Sequence, residues 1–223
     1  MTAHTPATSR IPDWLRRAVL FSSPVAAAVI VAGHPADPST ATDLGSSLDL
    51  YIAIHVALLF VLPFLGMTIW LLLDGLTSMA ATASRLLLPF VLVFYAAFDA
   101  LVGIGAGLVA REALAFRAPE NLGAQALAAR WMEIPPPIPI LGLLGPLSWT
   151  LALLSAAGAH RRAGSPVVVV VALALAGPLF GFGHALISGP IAMASLLAAA
   201  VVLERERRTL SRGELRSTPA VSS

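Results

Sequence analysis

Cysteine and lysine are both absent from the 223 residues. Without cysteine the chain has no disulfide, no thiolate metal ligand and no thiol nucleophile. Without lysine it has neither a Schiff-base amine nor the lysine of a phosphate-binding loop. Charge of any kind is scarce, at 12% of residues, against roughly 25% in soluble domains. The formal surplus is only +2, and no basic patch with interleaved aromatics occurs, so no nucleic-acid partner is expected. HExxH, GxSxG and Walker motifs are missing too, and Gly103-Ile104-Gly105-Ala106-Gly107 lies inside an apolar run without a preceding strand, so an enzyme is not the favoured reading.

What remains is apolar. Hydrophobic residues make up 57% of the chain and the mean hydropathy is +0.85, values of a membrane protein. Six apolar stretches read as spans over 18–33, 50–73, 86–110, 138–159, 166–187 and 191–203, with tails at 1–17 and 204–223. A helix needs about 20 apolar residues to cross a hydrocarbon core of ~30 Å, so the first and last stretches must borrow length from their flanks. Trp14 offers an interfacial anchor for the first, and Arg16 and Arg17 can snorkel. Gly181, Gly183 and Pro190 make the turn near Ser188-Gly189-Pro190 the weak point of the map, and the fifth span can stop near Phe182. A cleaved signal peptide competes for the first stretch, but Pro24 and a long region 1–17 containing Asp13 and Trp14 are atypical of one.

Arginine sets the orientation, because short cytoplasmic segments are enriched in positive residues. With the N-terminus inside, Arg10, Arg16, Arg17, Arg85, Arg161, Arg162, Arg205, Arg207, Arg208, Arg212 and Arg216 all fall in the cytoplasm. Only Arg111, Arg117 and Arg130 remain outside, each near an acid. Preference for arginine over lysine, with abundant alanine, glycine, proline and valine, fits a GC-rich bacterial genome. The expected location is therefore a bacterial cytoplasmic membrane with both termini inside. In the second outer loop a short amphipathic helix from Pro119 to Glu133, with Ala124, Leu127, Ala128 and Trp131 on one face, is expected on the outer surface. The 204–223 tail, mixing arginine, glutamate and serine, is expected to fray. The fold class is an all-α bundle of six transmembrane helices with that surface helix between the third and fourth spans.

Polar residues inside the spans are the candidates for function. An aspartate near the centre of a span costs ~2.5–3.5 kcal/mol on insertion scales, so Asp99 should face the bundle and find a partner. His55 and His184 occupy the outer halves of the second and fifth spans, while His34 and Asp37 sit at the outer mouth of the first. His4 and His160 fall on the inner side, where solvation is expected. Small residues at helical spacing, Ala96, Gly103 and Gly107 in the third span and Ala174, Gly177 and Gly181 in the fifth, mark helix interfaces.

Asp99, His55 and His184 supply imidazole and carboxylate, the ligand set of zinc or non-haem iron, and two facing imidazoles could hold a haem. The same groups make a proton relay, with Asp99 as the titrating group of a proton-coupled transporter. Depth argues against one shared metal: at 1.5 Å per residue Asp99 lies roughly 17 Å below the outer end of its span and His55 only about 8 Å. The leading expectation is a non-enzymatic integral membrane protein, structural, accessory or transport-related. Its expected partners are the lipid bilayer and a membrane protein or a second copy of the chain.

Overall fold

A computed structural model describes residues 11–35, 47–115, 138–182 and 187–217. Every regular element among them is helical: α1 Asp13–Ala32, α2 Leu48–Leu72, α3 Met79–Phe98, a π-helical segment Asp99–Gly105, α4 Ala106–Ala115, α5 Ile138–Arg162, α6 Val167–Gly181 and α7 Ser188–Ser217. Five windows, Asp13–Ala32, Leu48–Leu72, Met79–Glu112, Pro139–Arg162 and Ser188–Leu210, are long and apolar enough to cross a membrane. The third joins α3, the π segment and most of α4 into one continuous rod. The chain is an all-α membrane bundle. The surface helix expected over 119–133 lies outside the described residues.

The helices are apolar on their outer as well as their inner faces. On α2, Tyr51, Ile54, Leu58, Leu62, Leu65 and Ile69 recur every three or four residues and are buried, while Phe60 and Phe64 on the opposite side are 71% and 52% exposed. A helix hydrophobic all round suits lipid, not water. Sequence neighbours pack as spatial neighbours, α1 on α2, α5 on α6 and α6 on α7; α3 packs on α5, and α7 returns onto α1. The ring closes where α2 meets α3, the π segment and α4. Trp149, Phe180, Leu20, Leu65, Leu173 and Met193 fill its middle.

In lipid no hydrophobic force draws helices together, so polar contacts and close backbone approach hold the ring. The Ser23 and Thr68 hydroxyls bond at 2.6 Å between α1 and α2, Ser84 donates to the Ala152 carbonyl at 2.8 Å between α3 and α5, and Trp149 Nε1–H donates to the Ala176 carbonyl at 3.2 Å between α5 and α6. The small-residue stripes lie at such crossings. A methyl at Gly107 would meet Ile52 at 2.6 Å, and one at Gly181 would meet Thr150 Oγ1 at 2.6 Å. After α5 the chain reverses through a Schellman turn: Gly164 takes φ 75°, and Ser165 N–H reaches back to the His160 carbonyl at 3.0 Å.

At the element ends some expectations are met and others change. The first helix starts at Asp13 and Arg16 does not snorkel; it is 7% exposed and held by partners on two other elements. The fifth span ends as helix at Gly181 with Phe182 as its cap, so α6 is 15 residues, about 22 Å, shorter than a hydrocarbon core of ~30 Å. The tail beyond Glu204, expected to fray, continues as helix to Ser217, with 218–223 outside the described residues. Glu204 and Arg208 form an i,i+4 ion pair at 3.8 Å, and Arg207 approaches Asp13 of α1 at 3.6 Å, so the tail's charges support the helix instead of dissolving it.

Candidate functional site

Three elements converge at one end of the bundle, α1 through His34 just beyond its cap, α2 through Tyr51 and His55, and the third rod through Asp99. Tyr51 and His55 are four residues apart and therefore share a face of α2. Their rings lie 4.3 Å apart between centroids, and the His34 ring meets both edge-on, at 5.5 Å from Tyr51 and 5.1 Å from His55. All four side chains are buried.

The hydrogen bonds assign the imidazole tautomers. His55 Nδ1 lies 2.9 Å from the Tyr51 carbonyl, which can only accept, so Nδ1 carries hydrogen and donates. Nε2 is then the nitrogen turned toward Asp99, 4.0 Å from Oδ1. His34 is oriented the same way, its Nδ1–H donating to the Pro35 carbonyl at 2.7 Å. Asp99 Oδ2 is buried with no hydrogen-bond partner among the described residues.

Asp99 opens the π-helical segment, which ends at Gly105. Single π turns inside α-helices are rare and recur at functional sites, because the inserted residue displaces side chains and carbonyls from the α pattern. The Tyr51 hydroxyl donates to one of these carbonyls, Val102, at 3.3 Å. Gly103 faces the His55 imidazole so closely that a Cβ at this position would overlap the ring. Glycine here is what lets His55 lie against the rod beside Asp99.

Asp99 and His55, expected at different depths, are thus brought together. The third rod spans 34 residues, about 51 Å, against a core of ~30 Å. Counting depth from an end that projects beyond the hydrocarbon placed Asp99 too deep relative to His55. His34, expected as an outer-mouth contributor, joins the cluster. His184 and Asp37 lie outside the described residues. Among the described residues no three histidine, aspartate or glutamate side chains are grouped to hold a metal.

Tyr51 went unremarked in the sequence, although its i−4 position relative to His55 is the signal that would have found it. At the other end of the bundle the sequence pointed to solvated charge, and the structure has a buried network. Arg16 donates to Asp74 Oδ2 at 3.2 Å and to the Leu71 carbonyl at 3.0 Å, and its Nε lies 3.6 Å from Glu204 Oε2. Arg17 donates to Glu204 Oε1 at 2.9 Å. His160, expected to be solvated, is only 3% exposed. Its Nε2–H donates to the Leu72 carbonyl at 3.1 Å, and its Nδ1 accepts from the Ser165 hydroxyl at 2.9 Å. Both nitrogens are satisfied by a neutral ring, which makes His160 a clasp between α2 and the α5–α6 turn.

No protein-family model matches the chain, and no curated protein or solved structure matches it.

Proposed function

We propose that the protein is a transport-related multi-pass membrane protein that binds and releases a proton at the Asp99–His55 pair, reached from the outer side past His34. The observation that carries this reading is the approach of His55 Nε2 to Asp99 Oδ1, 4.0 Å, with both groups buried and no arginine in an ion pair with Asp99 among the described residues. With hydrogen fixed on Nδ1, the pair has room for one more proton between Nε2 and the carboxylate. It rests as a carboxylic acid facing a neutral imidazole or as a carboxylate facing an imidazolium. Removing that proton sets a carboxylate against the Nε2 lone pair, an arrangement relieved by movement, by a replacement cation or by a tautomer change that gives up the bond to the Tyr51 carbonyl. Proton binding is in this way coupled to the geometry of α2 and the π segment. His34, in ring contact with His55 at the end of α1, extends the titratable chain toward the mouth.

Eleven of the fourteen arginines on one side support placing the protein in a bacterial cytoplasmic membrane with both termini inside. The buried carboxylate–imidazole pair, continued by His34 toward the mouth, supports a proton-carrying role.

Proteoliposomes carrying the full chain and a pH-sensitive dye test the reading under an imposed pH gradient. Asp99→Asn keeps the side-chain volume and is expected to abolish protein-dependent proton uptake; uptake equal to wild type would remove the carboxylate from the mechanism. A second reading, Asp99 as a fastening between helices, is favoured by the Tyr51–Val102 bond at 3.3 Å that already ties α2 to the same segment. It predicts that Asp99→Asn and Asp99→Leu alter detergent stability or assembly and that wild-type protein carries no proton.

A further inference from the structure

An open groove of about 640 Å³ runs between the start of α3 and the last turns of α5, at the arginine-rich end and away from the histidine cluster. Its floor is made of small residues, Ala80 and Gly158; a Cβ on Gly158 would find only the Ala80 methyl, at 4.0 Å. Leu151 and Leu154, 42% and 44% exposed, form an apolar wall. At one end of the groove stand Arg161 and Arg162, both exposed. Neither guanidinium makes an ion pair or hydrogen bond with a described residue. Arg16, Arg17, Arg207 and Arg208 in the neighbouring network, by contrast, face a carboxylate.

We infer that this groove binds an anionic phospholipid, its phosphate on Arg161 and Arg162 and an acyl chain along Leu151 and Leu154. Charge complementarity selects the occupant. Two cations at a helix C-terminus are favoured by the helix dipole alone, but a dipole explains neither the small-residue floor nor the apolar wall leading away from the charges. A phospholipid supplies an anion and an apolar tail in that order along one molecule. Basic grooves between helices at the headgroup level are where such lipids bind. Arginine suits this level, because its long apolar stem lets the charge reach the headgroups.

Native mass spectrometry of the full chain from detergent, titrated with phosphatidylglycerol or phosphatidylcholine of identical chains, tests the assignment. Phosphatidylglycerol is expected to remain bound under activation that strips phosphatidylcholine. The double variant Arg161→Gln/Arg162→Gln is expected to bind phosphatidylglycerol roughly thirtyfold more weakly, from the worth of two arginines at an anionic headgroup. Gly158→Leu, which fills the floor and keeps both charges, is expected to weaken it as well; if that variant does not fold, the arginine pair alone decides. Equal retention of the two lipids would overturn the proposal. So would wild-type binding by the double variant, or lipid-free dimers lost on Gly158→Leu, which would make a second copy the occupant.

Discussion

Glu204 and Asp99 are carboxylates in the same bundle, each with a side chain 5% exposed, and they are surrounded in opposite ways. Glu204 faces Arg16, Arg17 and Arg208, at 3.6, 2.9 and 3.8 Å. Guanidinium groups are charged at any physiological pH, so that end of the molecule is a fixed electrostatic lock joining α1 to α7. Each carboxylate has one oxygen without a hydrogen-bond partner among the described residues, but the cationic neighbours differ: Asp99 has only an imidazole, 4.0 Å away. Imidazole, unlike guanidinium, exists both neutral and charged, so this second carboxylate is paired with a group whose charge is not fixed. Equal burial with unequal partners is what the proposed reading rests on, Glu204 as a structural carboxylate and Asp99 as the proton-carrying one. The buried histidines repeat the contrast: His160 has both nitrogens satisfied by a carbonyl and a hydroxyl, whereas His55 turns Nε2 to a titratable acid.

The comparison breaks most visibly at Glu204. Glu204→Ala leaves Arg16 buried without its α7 partner, a change expected to destabilise the bundle by about 3 kcal/mol. That is the low end of the range for a broken buried ion pair, because Asp74 and the Leu71 carbonyl remain. Denaturation in detergent measures the loss, and the fraction that stays folded is expected to take up protons normally in proteoliposomes. Normal stability with lost uptake would reverse the two roles.

At the other end, Gly103→Ala puts a methyl where the His55 ring lies. Overpacking of this kind costs about 1–3 kcal/mol, and relief requires the imidazole to swing from Asp99. Proton uptake is therefore expected to fall although Asp99 and His55 are both still present. A variant with wild-type uptake would show that their 4.0 Å approach is not what the site depends on.

How far these features were legible in the sequence depends on where each charge stands. Asp99 and His55 stand out because they interrupt long apolar runs, where a polar group is costly and needs a reason. Their meeting was not legible, since it depends on how far the 34-residue rod projects and tilts, and on a π turn that leaves no mark in composition. Glu204 was hidden for the opposite reason: it begins a run of alternating glutamate and arginine that reads as solvated tail. Only the fold reveals that α7 brings it against Arg16 and Arg17. His160 was misread because Arg161 and Arg162 follow it; the Schellman turn at Gly164 brings Ser165 back over the ring and away from solvent. The helical class and the apolar spans, by contrast, follow from hydropathy and length alone, because a bilayer admits few other solutions for a chain this apolar.

The smallest expected effect is the most discriminating for the cluster itself. Tyr51 touches the site in two ways, through a backbone carbonyl that fixes hydrogen on His55 Nδ1 and through a hydroxyl that donates to the Val102 carbonyl at 3.3 Å. Tyr51→Phe removes only the second. The carbonyl remains and so does the ring against His34 and His55, leaving the tautomer and the orientation of Nε2 unchanged. Among the described residues the hydrogen bond lost is the neutral one to the Val102 carbonyl, worth about 0.5–1.5 kcal/mol of stability. Proton uptake by Tyr51→Phe should match wild type across pH if His55 and Asp99 exchange the proton between themselves. A shifted pH profile at preserved stability would instead make the Tyr51 hydroxyl a member of the relay, and the contrast between a locked end and a switching end would then rest on three titratable groups in place of two.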